Sequence, residues 1–248
     1  MKIIISPAKK MNTDTDFIVA QNTPSLIKKT IELLKVIKNL SYLEMKKVWN
    51  CNESIADLNY KRFQDMELDK ANTPAVLAYE GLQYQYISPS VFEKDEFAYI
   101  EKNLRILSGF YGVLKPMDRV TPYRLEMQSK IKIKNCSNLY SFWANSLYRS
   151  IVDEDNVIIN LASKEYSKTI EKYLQPNDVF ITINFVENVN DKLVTKGTYA
   201  KMARGEMLRF LAEHKIEDIE EIKKFNRLGY FYRDDLSNKN IFVFERIV

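Results

Sequence analysis

Two of the chain's six glycines, Gly109 and Gly112, stand three residues apart, and Pro116 and Pro122 follow them closely. With so few glycines in 248 residues, each one kept marks a backbone need, either positive φ or close approach of another group. The segment therefore has to turn tightly, and residues 104–127 constrain the fold more than any other stretch. Charge concentrates there too. Residues 102–134 carry eight Lys or Arg against only Asp118 and Glu126, whereas the whole chain is only +4. A concentrated positive field beside a glycine turn points to an anionic ligand.

Periodicity sets the surrounding elements. Ile3–Ser6 reads as a buried strand stopped by Pro7. Thr23-Pro24 predicts a helix start with Leu26, Leu33, Ile37 and Leu40 on one face. Ser41–Glu44 matches a capping box. Residues 52–63, 74–81 and 92–103 read as further helices, 104–107 as a strand, and 109–114 as a turn into a brief helix. Val157–Leu161 reads as a buried strand, with Ser163 capping the next helix. Residues 179–186 and 192–196 form a hairpin pattern. Helices over 199–212 and 219–225 lead to closing strands at Phe231 and 241–247. Helices come first and a mixed pattern follows, without a regular βαβ repeat. The fold class expected is α+β: a single domain over 1–248, with a mixed β-sheet surrounded by helices and a basic cleft.

Composition narrows the chemistry. His214 is the only histidine, and Cys51 and Cys136 lie 85 residues apart. That excludes a multi-histidine metal site and a close-spaced thiol motif, so no metal and no cofactor is expected. Direct iron storage, haem or Fe–S chemistry lacks ligands, and neither thiol sits in a recognisable peroxidatic setting. No stretch approaches the roughly 18 apolar residues of a membrane span, and the short apolar run before Pro7 is not a signal peptide. A cytoplasmic protein without membrane contact is expected.

Four segments carry polar side chains suited to a site: Ser6–Lys10, the glycine block, Asn160–Tyr166 and Tyr199–Gly205. Three lie where a strand meets a helix, the place ligands gather in open α/β sheets. In the last, Lys201 and Arg204 share one helix face while Ala200, Ala203, Met207 and Phe210 form the apolar stripe. Gly205 costs roughly 1 kcal/mol against alanine in mid-helix, so something packs against that backbone. Arg124 and Glu126, two apart on an extended stretch, point the same way, able to pair or to grip a ligand. Gly109–Gly112 has the spacing of a phosphate-clamping G-x-x-G loop, but reads equally as a packed turn. No dinucleotide or P-loop fingerprint occurs.

Together these segments resemble the YaaA family of bacterial peroxide-stress proteins. The resemblance runs nearly end to end, through Ile5–Lys9, Leu104–Pro116, Pro122–Met127, Leu139–Trp143, Asn160–Tyr166, Tyr199–Gly205, Gly229–Phe231 and Phe242–Arg246. Lys10 departs from the family pattern, where an apolar residue is common. The resemblance implies a peroxide (oxidative) stress response protein that limits unincorporated intracellular iron and damage to DNA. It also implies a DNA-binding α/β fold with a positively charged cleft and a helix-hairpin-helix element, and it brings no established reaction.

Two readings of the site stay open, beside a bland third as a protein adaptor. In the first, Lys9, Arg105, Gly109, Tyr111, Gly112, Lys115, Arg119, Tyr123, Arg124, Lys201 and Arg204 bind DNA, duplex or single-stranded and without sequence specificity. The tyrosines stack on bases, and no iron is bound directly. In the second, an enzyme acts on a nucleotide or nucleic-acid base. Glu126 or Glu165 is then the acid or base, Arg124 and Arg204 hold a phosphate, and Ser163 or Lys9 orients the substrate. A closed pocket of roughly 300–1,000 Å³ favours the second reading and a long open groove the first.

Overall fold

Ile3, Ile4 and Ile5 are fully buried, the mark of a strand covered on both faces in a parallel sheet. The computed structural model describes residues 1–13 and 18–247. Its main sheet is built from β1 (Lys2–Ile5), β2 (Leu104–Ser108), β3 (Gly112–Leu114), β4 (Val157–Leu161), β5 (Val179–Val189), β6 (Lys192–Val194), β7 (Tyr230–Tyr232) and β8 (Ile241–Arg246). The spatial order is β7-β8-β5-β4-β1-β2-β3, with β6 paired to β5. The five central strands, β8 to β2, run parallel. Antiparallel partners close both edges, β7 on β8 and β3 on β2.

The sheet is mixed, as the sequence predicts, but the parallel centre makes the class α/β rather than α+β. Parallel neighbours need long crossovers, and here they are helical. The crossover from β1 to β2 spans about a hundred residues, which hides the repeat from a linear reading. It contains α1 (Ile27–Lys38), α2 (Tyr42–Trp49), α3 (Glu53–Gln64), α4 (Leu82–Ile87) and α5 (Lys94–Asn103). Further on, α6 (Lys164–Glu171) links β4 to β5, and α7 (Gly197–Glu213) lies between β5 and β8. The inserted β6 and β7 break what is otherwise a βαβαβ run.

Local chemistry accounts for most boundaries. Ser41 and Glu44 form the expected capping box, with Ser41 N donating to Glu44 Oε2 at 2.8 Å and Glu44 N to Ser41 Oγ at 3.4 Å. Asn52 caps α3 by accepting from Ile55 N at 3.0 Å. Helix α1 starts at Ile27 rather than at Pro24, because residues 24–27 form a separate turn, with Ile27 N bonded to Pro24 O at 3.1 Å. Thr73-Pro74 pairs with Arg119-Val120 as a two-residue ladder before one helical turn at Ala75–Ala78.

The glycine block folds differently from its sequence reading. Residues 109–114 form no helix: β2 and β3 make a tight hairpin with Ser108 opposite Gly112. Gly112 holds φ at +80° with Leu26 and Trp143 packed against its α-carbon, and Trp143 Nε1 donates to Gly109 O at 3.0 Å. Both glycines are buried. The G-x-x-G is therefore a core β-turn with no amide face open to a phosphate, and neither glycine sits in a helix-hairpin-helix element.

Candidate functional site

The central strands β1 and β4 are adjacent, with Ile5 opposite Leu161, so their carboxyl ends release Ser6 and Ser163 side by side. Ser163 N donates to Ser6 Oγ at 2.8 Å, and Ser6 Oγ donates to Ser163 Oγ at 3.2 Å. Tyr84 OH, from α4, donates to Ser6 O at 2.9 Å. Asn160 turns back to accept from Ala162 N at 2.9 Å, which fixes the exit from β4. Ser163 holds the backbone conformation of a helix cap, but its side chain makes no capping bond. Its hydroxyl is engaged with Ser6 instead.

A cavity of about 380 Å³ opens over these strand ends. Its cations are Lys9, Lys10, Arg124, Lys201 and Arg204, and its carboxylates are Glu80, Glu126 and Glu165. Ala8, Leu82 and Leu125 supply apolar wall. The lining is mixed in sign, five cations interleaved with three acids, where a basic cleft was expected.

Each polar group is held by an identifiable support. Along 123–127, Tyr123, Leu125 and Met127 are buried, which turns the alternate residues Arg124 and Glu126 toward the cavity. Trp49 Nε1 anchors that segment by donating to Arg124 O at 2.5 Å. Gly109 lets it lie close, since a β-carbon at Gly109 would stand 2.4 Å from Leu125 O. Glu126 Oε1 lies 3.1 Å from both Lys9 Nζ and Arg124 Nη2, so two of the cations share one carboxylate. Lys10 pairs with Glu80 at 2.5 Å.

Among the described residues, Glu165 and Arg204 are left without ion pairs. Glu165 Oε1 accepts from Gln128 N at 3.1 Å. Burial pushes its carboxyl above the usual carboxylate range, and nearby Glu126 pushes the same way against the Gln128 amide and Lys9. Arg204 is partly buried, its Nε is hidden from solvent without a hydrogen-bond partner, and burial lowers its pKa. Among the described residues its side chain forms no hydrogen bond or ion pair. Lys201, one helical turn earlier on α7, is exposed and likewise unpaired among those residues.

A second cavity of about 530 Å³ adjoins the first. Lys9, Arg124 and Glu126 line both, and the second adds Lys47, Gln128, Ser129 and Lys130. Lys130, Lys132 and Lys134 are exposed while Ile131 and Ile133 are buried. That period-two pattern is a sequence signal for one side of the second cavity. Lys47, on the exposed side of α2, carried no signal beyond its charge, and neither did Glu80.

The structure brings Lys9, Tyr123, Arg124, Glu126, Ser163, Glu165, Lys201 and Arg204 together at the first cavity. The remaining members of the expected set do not join them. Arg105 is buried, and its Nη1 donates to Leu104 O at 2.6 Å and to Glu101 O at 3.2 Å, so it stabilises a helix end rather than a ligand. Tyr111 is fully buried, and its hydroxyl accepts from Thr121 N at 3.0 Å. Arg119 bonds to Thr23, and the exposed Lys115 lies outside both cavities. Gly109 and Gly112 act through packing. Tyr123 touches the cavity but offers no ring face for stacking. Its hydroxyl joins a buried chain, 2.7 Å from Tyr79 OH and 2.6 Å from Ser108 Oγ. The excess positive charge of residues 102–134 is therefore divided between fold and site. Gly205, expected to admit something close, admits α4: a β-carbon there would stand 2.3 Å from Gln83 O.

Among the described residues, no helix is long and apolar enough to cross a membrane, and no three His, Cys, Asp or Glu side chains gather as metal ligands.

Comparison with known proteins gives a consistent picture. The profile of a family described as peroxide stress protein YaaA matches residues 1–236. A UPF0246 protein of Agathobacter rectalis is 60% identical over 246 residues, covering 99% of each chain. One from Desulfitobacterium hafniense is 55% identical over 98% of this chain and 97% of its own. Another, from Limosilactobacillus reuteri, is 47% identical over the full length of both.

Proposed function

Because the chain belongs to the YaaA family of peroxide stress proteins, we propose that it serves that response by binding nucleic acid at the cavity over β1 and β4. Arg204 and Lys201 take a backbone phosphate, and Lys47 and Lys130 in the adjoining cavity take a neighbouring one. The observation that carries this reading is the unpaired guanidinium of Arg204. A partly buried cation without a counter-ion loses hydration and gains nothing in return, whereas a phosphate restores both charge and hydrogen bonds, bidentately for arginine. The exposed, unpaired Lys201 on the same helix face adds a second donor. Lys9 and Arg124, which share Glu126, tune the entrance rather than anchor it.

On this reading, damage to DNA is limited where the protein sits on it, and any effect on unincorporated iron is indirect. His214 is exposed and alone, and Cys51 and Cys136 are free thiols. Nucleic acid without sequence preference fits a site whose free donors are cations rather than readers of base edges.

The test is a salt-titrated binding assay on duplex, single-stranded and bulged DNA, comparing the unaltered protein with Arg204→Ala and Lys201→Ala. Each lost phosphate contact should flatten the log–log salt dependence by about 0.9 for duplex or about 0.7 for single strands. Affinity unchanged by salt between about 50 and 300 mM would sink the proposal, since phosphate contacts release counter-ions on binding.

A further inference from the structure

Glu126 and Glu165 line one cavity in contrasting surroundings. Glu126 is flanked by two cations, each 3.1 Å from the same oxygen. Among the described residues Glu165 has no cation in contact and is met by backbone amides, Gln128 N at 3.1 Å and that of Met127. Such a pair can divide labour between a carboxylate set among cations and a desolvated one that keeps its proton longer. Burial and the proximity of Glu126 both act on Glu165 in that direction. The cavity volume, about 380 Å³, lies in the range of a site for one small molecule, room for a single nucleotide of a strand bound across it. Its apolar wall, with Ala8, Leu82 and Leu125, faces the same space as the unpaired Arg204. An unpaired guanidinium, an apolar wall and two carboxyl groups complement the phosphate, base and sugar of a single nucleotide.

We propose that this cavity is an active site that hydrolyses the N-glycosidic bond of one phosphate-anchored nucleotide, with Glu165 as the general acid and Glu126 as the charge facing the sugar carbon. The inference rests on the reading of Arg204 as a phosphate anchor. The bond from C1′ to the base nitrogen breaks with both electrons leaving on the base, which takes the proton of the Glu165 carboxyl. The cationic character at C1′ is stabilised by the Glu126 carboxylate. A water oxygen then bonds to C1′ and gives its surplus proton to Glu126, from which solvent returns it to Glu165. Water is consumed, and a free base and a sugar phosphate are produced, without oxidant or other co-reactant. A nucleotide within a strand enters only if it is extruded from the stack, at least cost when it is unpaired.

The experiment incubates the full chain with duplexes carrying one bulged nucleotide of each base, and separately with the four deoxynucleoside 5′-monophosphates, and measures free base by chromatography. Binding of the bulged duplexes is followed in parallel. The expected result is base release from at least one probe, slowed at least about 100-fold in Glu165→Gln with duplex binding retained, and slowed also in Glu126→Gln. Thermal unfolding of each variant shows that it is folded, and Glu165→Asp supplies a second, still acidic probe that should retain part of the rate. If the bulged duplex is bound but no probe yields base above the buffer control, the catalytic inference is overturned and the binding proposal stands. Release at the unaltered rate from Glu165→Gln overturns it equally. If no duplex is bound and no monophosphate yields base, the phosphate anchor fails and both readings fall with it; release from a monophosphate without duplex binding overturns the binding proposal alone.

Discussion

Gly205 on α7 and Gln83 on α4 are backbone to backbone: a β-carbon at Gly205 would stand 2.3 Å from the Gln83 carbonyl oxygen and 2.7 Å from Tyr86 Cβ. The helix that carries Lys201 and Arg204 is thereby pressed onto the helix that carries Tyr84, whose hydroxyl holds the Ser6 carbonyl. Gly205→Ala gains roughly 1 kcal/mol of helix propensity, but a backbone oxygen at that distance cannot yield as a flexible side chain would. We expect a net loss of about 1–3 kcal/mol from overpacking, measured by urea denaturation. A variant as stable as the unaltered protein would mean that the two helices are free to separate.

Gly109 makes the corresponding contact for the other wall. Its added β-carbon would meet Leu125 O at 2.4 Å and the Glu126 carbonyl carbon at 3.1 Å, displacing the segment that presents Arg124 and Glu126. Gly109→Ala should cost about 1–3 kcal/mol in stability and should also weaken nucleic-acid binding in the folded fraction. Titration at a temperature well below the unfolding midpoint separates the two effects. Intact binding there would show that the segment's position does not depend on Gly109.

These two glycines show how much of the molecule could be read from the chain. Their scarcity signalled close packing at both positions, yet not whether the neighbour was a ligand or another helix, because no partner from a distant segment can be seen in a linear sequence. That Arg124 and Glu126 share one side followed from period-two geometry, but not that they pair rather than grip a ligand. Ser6–Lys10 and Asn160–Tyr166 were legible as strand-to-helix junctions, but not the contact between Ser6 and Ser163, which depends on β1 and β4 lying side by side. The parallel sheet was not legible, because the hundred residues between β1 and β2 conceal the crossover. Tyr111 and Arg105 were misread for a related reason: tyrosine and arginine carry polar tips on apolar stems, and only the fold decides which end is buried.

Asp118 offers a test by pH. It is 2% exposed, and burial pushes its carboxyl up to about 6, helped by Glu101 and opposed by the Lys115 amide and by the charges of Lys115 and Arg105. A carboxyl whose folded pKa lies above its unfolded value of roughly 3.9 favours the folded state most when protonated. Stability from this group is therefore present below about pH 4 and lost as pH rises through about 6. Asp118→Asn cannot ionise and can still accept from the Lys115 amide. Relative to the unaltered protein it should gain about 2–3 kcal/mol between pH 4 and 7, read as a diverging pair of denaturation midpoints. Parallel pH profiles would show that the site is solvated when charged.

Arg204 should separate stability from binding. Its guanidinium loses hydration on burial and has no counter-ion among the described residues, so in the free protein it is a cost. Replacing it with Met keeps the apolar stem, removes the charge, and leaves α7 packed through Ala200, Ala203 and Met207. We expect Arg204→Met to be as stable as the unaltered protein or more so, by up to about 1–2 kcal/mol, and to lose affinity for DNA by about tenfold or more, as the loss of one charge-assisted phosphate contact implies. Adding nucleic acid should then raise the unfolding midpoint of the unaltered protein and leave that of Arg204→Met nearly unmoved. A variant that is less stable alone and still stabilised by DNA would instead make Arg204 a packing residue, and the phosphate would have to be sought at Lys47 and Lys130.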